Sequence, residues 1–90
     1  MILTGYIIVL PADLICVLNE LATHIALTKQ EQGCLFFEAN QDTNNLHRFY
    51  FHEEFESRAS LANHRARVDG SKWAAATINV ERHFKVTDVQ

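Results

Sequence analysis

The first ten residues constrain the fold of this chain more than any other segment. Along an extended backbone, Leu3, Gly5, Ile7 and Val9 point to one side, and the alternate residues from Ile2 to Leu10 point to the other. Both sets are largely apolar. Since a strand with one face in water alternates with polar residues, apolar character on both sides is typical of a covered central strand. We therefore predict a central strand over residues 2–10, buried on both faces.

A helix and a second strand are expected next. Pro11 suits the first turn of a helix, and apolar residues then recur at helical spacing up to about Lys29. Gly33 is expected to end the connection between this helix and the next strand. Residues 34–41 are predicted to form the second strand, followed by a polar turn over residues 40–45 and a hairpin.

The pattern in the second half of the chain predicts a strand, then a helix, then a final strand. Residues 46–55 alternate as in a β-strand, and Ser57 can cap a short helix that ends near Asp69. Residues 77–87 are predicted to form the last strand. The order β-α-β-β-α-β predicts an α+β, ferredoxin-like antiparallel sheet with two helices on one face.

Ninety residues suit one domain over residues 1–90, and a domain of this size gains from subunit association. Two helices can cover only one face of the sheet. Because the first strand is apolar on both sides, a second copy of the sheet is the simplest cover for the other face. We therefore expect a homodimer formed through the sheets.

Composition argues against several functions. Eight basic and eleven acidic residues give a net charge of −3, and the basic residues are scattered, which argues against nucleic-acid binding. The apolar run that Pro11 interrupts is too short for a membrane segment, and no export signal is expected. Cys16 and Cys34 show no disulfide or metal-ligand spacing, which predicts reduced thiols in the cytoplasm.

Three residues are candidates for a pocket. On the second helix, Leu61 and Val68 share a face with His64, so the imidazole is expected in the space between helix and sheet, as a proton acceptor or as a structural histidine. Trp73 either closes a pocket or fills the core. His24 is expected at the edge of the apolar stripe of the first helix, where it either lines a pocket or merely borders the core.

Two charges interrupt apolar strand faces, Glu53 in the third strand and Arg82 in the last. Since a buried unpaired charge is costly, one hypothesis is a structural Glu53–Arg82 ion pair. The other is that Arg82, Arg48 or Arg67 holds an anionic or phenolate oxygen of a substrate. No metal site is predicted, because the histidines lack ligand spacing.

The chain resembles the antibiotic biosynthesis monooxygenase superfamily of small dimeric α+β-barrel proteins. The matching residues span nearly the whole chain: His24, Thr28-Lys29-x-Glu31-x-Gly33-Cys34-Leu35-x-Phe37, Arg48-Phe49, Glu53-x-Phe55 with Ser57, His64-x-x-Arg67, Ser71-x-Trp73 and Arg82-His83-Phe84.

The resemblance implies an oxygenase that uses no cofactor, neither flavin nor metal: a small quinol-like or enolizable aromatic is deprotonated, and its anion reacts with O₂. It implies His64, Trp73 and His24 as catalytic residues. From the charges themselves, we expect Arg48, Glu53, Arg67 and Arg82 to be the substrate-binding residues. Where some relatives carry a second helix-two histidine, this chain has Asp69. A strand-one Asn of haem-degrading relatives is missing, which argues against that activity.

Two other functions stay open at this point. Other relatives resemble isomerases of phosphorylated sugars, so a non-oxidative enzyme acting on a small anionic metabolite is one alternative. A small-ligand-binding module without catalysis is the other, since one fold hosts many functions.

Overall fold

A four-stranded sheet with helices on one face forms the protein in a computed structural model that describes residues 1–88. The strands are β1 (Ile2–Ile8), β2 (Cys34–Gln41), β3 (Arg48–Phe55) and β4 (Glu81–Thr87), and the helices are α1 (Leu14–Lys29), α2 (Arg58–Val68) and α3 (Lys72–Ala76). A short 3-10 turn, Pro11–Asp13, precedes α1. None of the helices in residues 1–88 has the length and apolar character needed to cross a membrane.

Strand β1 lies in the interior of the sheet, whose order is β2-β3-β1-β4 with every neighbouring pair antiparallel. In β1, Tyr6 lies opposite Tyr50 of β3 on one side and opposite His83 of β4 on the other. The predicted ferredoxin-like arrangement and the central position of the first strand are confirmed.

A serine caps the N-terminus of each of the two C-terminal helices. The Oγ atom of Ser57 accepts a hydrogen bond from the backbone N–H of Ser60 at 3.1 Å, which caps α2 as predicted. Ser71 caps α3 in the same way, by accepting from the backbone N–H of Ala74. Gly33 has a φ of 88°, a left-handed conformation that glycine adopts without steric cost, and it turns the chain into β2.

Three predicted boundaries were wrong. Strand β1 ends at Ile8 rather than at residue 10, and β3 begins at Arg48 rather than at residue 46. Strand β4 begins at Glu81 rather than at Thr77, because Thr77 closes α3. The Thr77 side chain donates to the backbone oxygen of Trp73 at 2.7 Å, and its backbone N–H donates to the same oxygen.

The core lies between the inner face of the sheet and the helices. Its most deeply buried side chains include Ile7 of β1, Phe49 of β3 and Val17 of α1. The other face of β1 is not covered within one copy of the chain, since Thr4 is exposed and Tyr6 is half-buried. Within a single copy only one face of β1 is buried, and the expected cover of the other face by a second copy stays a prediction.

Gly5 allows β4 to lie close against β1. A Cβ atom at this position would overlap the backbone oxygen of His83 and would lie 2.8 Å from the Cα atom of Phe84. We expect Gly5→Ala to lower the free energy of unfolding by about 2–3 kcal/mol, as overpacking does. Gly70→Ala is the control. There the φ of 79° is strained, but a Cβ would meet no atom of the described residues within 4 Å, so the loss is about 1 kcal/mol. Urea unfolding measures both, and equal losses would contradict the close approach.

Candidate active site

A cleft of about 600 Å³ opens between the inner face of the sheet and helices α2 and α3. Aromatic side chains from three elements line it: Phe51 of β3, Trp73 of α3 and Phe84 of β4. Its polar lining residues are His24, Glu53, His64, Arg65, Asp69 and Arg82. The cleft is therefore a mainly apolar site with a few ionisable groups, which is typical of small-molecule sites.

His64 lies on the face of α2 that meets the sheet. Only 7% of the residue is exposed, and its ring lies 4.9 Å from that of Phe55. The Nδ1 atom lies 2.7 Å from Oε1 of Glu31, within hydrogen-bond distance. Burial lowers the pKa of His64 below 6.5, although the hydrogen bond to Glu31 and the charge of that residue oppose this effect. Burial therefore favours the neutral form of His64.

Glu31 also connects His64 to Arg67. The other Glu31 oxygen accepts from Nε of Arg67 at 2.6 Å, and Nη2 of Arg67 donates to Oγ1 of Thr28 at 3.0 Å. Thr28 in turn donates to the backbone oxygen of His24 at 2.8 Å. This network ties the connection between α1 and β2 to helix α2. Arg67 is thereby engaged with Glu31 and Thr28, and it does not line the 600 Å³ cleft.

Glu53 lies on the inner face of β3 and is 7% exposed. Its Oε1 atom lies 3.8 Å from Nε2 of His64, which is beyond hydrogen-bond distance. Burial raises the pKa of Glu53 to about 7, although the charges of Arg82 and Arg65 act against the rise. A carboxyl group with such a pKa exchanges its proton near neutral pH, so Glu53 can donate a hydrogen bond or accept a proton there.

The predicted ion pair between Glu53 and Arg82 is wrong. Although both residues are described, no ion pair within 4.0 Å joins them. The strand register explains the separation. Glu53 pairs with Leu3 of β1, whereas Arg82 pairs with Ile7, four residues further along the same strand. At a rise of about 3.3 Å per residue, this offset is roughly 13 Å along the sheet.

His24 lies deeper than the sequence predicted. It is 5% exposed rather than at the edge of the core, and its ring stacks on that of Trp73, with 4.6 Å between centroids and 7° between planes. The His24 and His64 rings lie 6.0 Å apart. Burial first, and then the charges of His64, Arg67 and Arg82, lower the pKa of His24 to about 3. The ring is therefore neutral, and its buried Nδ1 has no hydrogen-bond partner among residues 1–88.

The structure separates the predicted substrate-binding residues. Arg82 lines the cleft, with its guanidinium 5.9 Å from the ring centre of Phe84. Arg48 lies on the opposite face of the sheet, where its guanidinium is 4.9 Å from the ring centre of Tyr6. The cleft therefore contains His24, Glu53, His64, Trp73 and Arg82, but neither Arg48 nor Arg67.

Sequence reasoning missed the contact of Glu31 with His64 and the place of Arg65, Phe51 and Phe84 in the cleft. Strand alternation places Phe51 on the same face as Glu53, and this signal could have identified it. Glu31 lies 33 residues before His64, and no local pattern links the two. Within residues 1–88, no group of three or more His, Cys, Asp or Glu side chains is arranged to hold a metal ion.

The raised pKa of Glu53 predicts a pH-dependent effect of Glu53→Gln on stability. The folded protein binds the Glu53 proton more tightly than the unfolded chain does. The stabilisation is therefore complete below the unfolded pKa of 4.5 and is lost as the pH rises through about 7. Gln mimics the protonated form. We expect the stability of the variant, relative to wild type, to increase by about 3 kcal/mol between pH 4.5 and pH 8.

Urea unfolding at both pH values measures this difference, and Glu56→Gln, at an exposed carboxylate, is the control. A stability difference that is the same at both pH values would contradict a buried, protonated Glu53.

Comparisons with known proteins agree with this fold. Solved structures similar to the chain include an antibiotic biosynthesis monooxygenase (TM-score 0.83, 21% identity, covering 100% of this chain and 99% of that one). A candidate antibiotic biosynthesis monooxygenase from Bacteroides thetaiotaomicron has a TM-score of 0.84 at 19% identity, and the match covers 100% of this chain and 90% of that one. Another, from Nitrosomonas europaea, has a TM-score of 0.77 at 15% identity, covering 97% and 98%.

No curated protein matches the chain. A family model does: the one described as antibiotic biosynthesis monooxygenase matches residues 2–76, well over half of the chain. The protein therefore belongs to the antibiotic biosynthesis monooxygenase family.

Proposed function

We propose that this protein is a cofactor-independent monooxygenase that oxidises a small quinol-like or enolizable aromatic with O₂. The observation that carries the proposal is a neutral, buried His64 in a cleft walled by aromatic side chains. Phe51, Trp73 and Phe84 supply apolar surface for a ring, and the cleft of about 600 Å³ has the size of small-molecule sites. Family membership supports the same class of reaction.

In the proposed reaction, Nε2 of His64 accepts the proton of a substrate hydroxyl, as a general base with a pKa below neutrality can. The resulting anion is electron-rich and transfers electrons to O₂, and a bond forms between ring carbon and oxygen. The O–O bond then breaks, one oxygen stays on the ring, and the other leaves as water. A hydroquinone becomes a hydroxyquinone, so the four electrons that O₂ gains come from the substrate alone.

Other residues of the cleft stabilise the substrate in this proposal. Protonated Glu53 donates a hydrogen bond to the developing oxyanion, and Arg82 adds positive charge at the rim. Trp73 and the stacked His24 form a rigid wall against which the ring packs. Arg48 and Arg67 have no contact with substrate in this proposal, because they lie outside the cleft.

Oxygen uptake tests the proposed role of His64. With a panel of hydroquinones, catechols and naphthols, and after subtraction of spontaneous autoxidation, we expect uptake by wild type and a loss of about 10²–10⁴-fold in His64→Ala. His47→Ala is the matched control. His47 lies outside the cleft, where its Nδ1 is 3.1 Å from the backbone oxygen of Val9, so its uptake should stay near that of wild type. Equal uptake by wild type and His64→Ala would remove His64 as the base.

A second function is favoured by the charges at the rim. Arg65 and Arg82 line the cleft, and neither forms an ion pair within 4.0 Å with a residue of the described chain. Such free guanidiniums suit a non-oxidative enzyme, such as an isomerase, acting on a small anionic metabolite. Turnover that persists without O₂ and falls in Arg82→Gln would favour this function. Ligand binding without turnover in either assay would favour a binding module.

We further propose that the active form is a homodimer in which the uncovered sheet faces pack together. That face carries Tyr6, Tyr50 and Phe36, and the last two are more than a third exposed. Tyr6 lies on the central strand, and its ring stacks on that of His83 at 4.7 Å. A domain this small buries only a modest hydrophobic core of its own, so burial of this aromatic surface in a dimer would add to its stability. A cytoplasmic location is proposed as well, because Cys16 and Cys34 are free thiols.

Replacement of Tyr6 by Glu tests the sheet interface. Glutamate at this position would remove the central aromatic ring and bring a carboxylate into the packed interface, where the Arg48 guanidinium offsets only part of the cost of burying the charge. We therefore expect Tyr6→Glu to shift the protein from dimer to monomer. The control is Ile15→Glu, at a 74% exposed position on α1. Sedimentation velocity distinguishes the 10.3 kDa monomer from a species of twice that mass. A monomeric wild type, or a dimeric Tyr6→Glu variant, would refute the sheet dimer.

A further inference from the structure

We infer that Glu31 is the positioning residue of His64. Its carboxylate holds the imidazole as the tautomer protonated at Nδ1, so that Nε2 is left as the proton acceptor on the side of Glu53 and the cleft. Glu31 is not among the residues that line the cleft, so its role depends on His64 rather than on direct contact with a bound molecule.

The hydrogen-bond inventory of the two side chains determines the tautomer. Glu31 and Arg67 form an ion pair at 2.6 Å, and an ionised carboxylate can only accept hydrogen bonds. At 2.7 Å from the other Glu31 oxygen, Nδ1 of His64 must therefore carry a hydrogen. A neutral imidazole has one protonated and one unprotonated nitrogen. Nε2 is accordingly the acceptor, and at 3.8 Å from Oε1 of Glu53 it is not already engaged in a hydrogen bond to that residue.

The surrounding network keeps Glu31 in place. Its backbone N–H donates to the backbone oxygen of Thr28 at 3.1 Å, and Arg67 bridges its carboxylate to the Thr28 hydroxyl. The side chains of Glu31 and His64 are only 16% and 9% exposed. Because water has little access, no competing donor or acceptor replaces the contact, and the orientation of the His64 ring depends on Glu31.

Glu31 also acts on the protonation of His64 through its charge. Four other ionisable groups face the imidazole or lie near it: Glu53 on β3, His24 on α1, and Arg65 and Arg67 on α2 itself. The carboxylate of Glu31 favours the imidazolium form, whereas the two guanidiniums disfavour it. Removing the charge of Glu31 should therefore lower the pKa of His64.

Two Glu31 variants remove the acceptor for Nδ1 of His64, and one of them keeps the size and polarity of the side chain. In Glu31→Gln a single oxygen remains, and because Nε of Arg67 can only donate, that oxygen should accept from Arg67 while the new NH₂ group donates to Nδ1 of His64. The proton should therefore move to Nε2, and the pKa should fall. In Glu31→Leu the acceptor is gone, and the proton should move to Nε2, where Glu53 can accept it. Nitrogen-15 NMR of the His64 ring reports both properties without any substrate. We expect a roughly tenfold or greater excess of the Nδ1–H form in wild type, as a charge-assisted hydrogen bond produces.

The measurement stands apart from the proposed oxygenase activity. The inference that this tautomer serves catalysis rests on the proposed function, whereas the tautomer itself does not. In an active enzyme, Glu31→Leu and Glu31→Gln should each lower kcat by about 10–100-fold with a smaller change in KM.

A wild type with its proton on Nε2 at pH 7.5 would overturn the inference, and so would a folded Glu31→Leu variant that keeps the Nδ1–H form. Circular dichroism and the fluorescence of Trp73, the single tryptophan, check the fold. If Glu31→Leu does not fold, the wild-type tautomer and the pKa change in Glu31→Gln decide the question alone. Glu56→Gln, at an exposed carboxylate, should leave both unchanged.

Discussion

The burial of His64 against Glu31 connects parts of the molecule that are distant in sequence. Helix α2 is otherwise weakly attached, because Leu61 is its only buried apolar residue and the rest of its surface is largely polar or exposed. Through His64 and Arg67, however, α2 contacts the connection that follows α1, and Glu53 of β3 lies beside the same ring. The position of α2 over the sheet, and therefore one wall of the cleft, depends on a contact between ionisable groups as much as on apolar packing.

Burial also determines the protonation of the cleft. His24 and His64 have lowered pKa values, and Glu53 has a raised one, so in each case the neutral form is favoured. The guanidinium groups near the cleft lie at its rim or are paired with Glu31. A cleft arranged in this way can take a proton from a weakly acidic hydroxyl near neutral pH, because its base is not already protonated. This is the physical reason for preferring proton abstraction to simple anion binding.

Much of the fold could be predicted from the sequence, and the reasons lie in particular residues. The two apolar sets in residues 2–10 placed β1 at the centre of the sheet, and the alternation over residues 46–55 identified β3. Helix α3 was not predicted, because five residues are too few to show a helical period. Strand order also says nothing about register, which is why Glu53 and Arg82 were expected to meet although β1 holds them far apart. The contact between Glu31 and His64 could not be predicted either, because the local sequence around one residue gives no indication of the other.

The fold therefore constrains the chemistry without choosing it. Solved relatives share this architecture at 15–21% identity, and at that distance similarity reports the arrangement of strands and helices rather than the reaction. What distinguishes a proton-abstracting site from an anion-binding one is the depth at which each group lies. His64 and Glu53 are buried, whereas Arg65 and Arg82 are exposed. A hydroxyl that reaches the buried groups meets a neutral base, while an anionic substituent is stabilised only near the solvent. In the proposed function, the order of these groups from the interior to the rim, rather than the fold, is what favours proton abstraction from a hydroxylated ring.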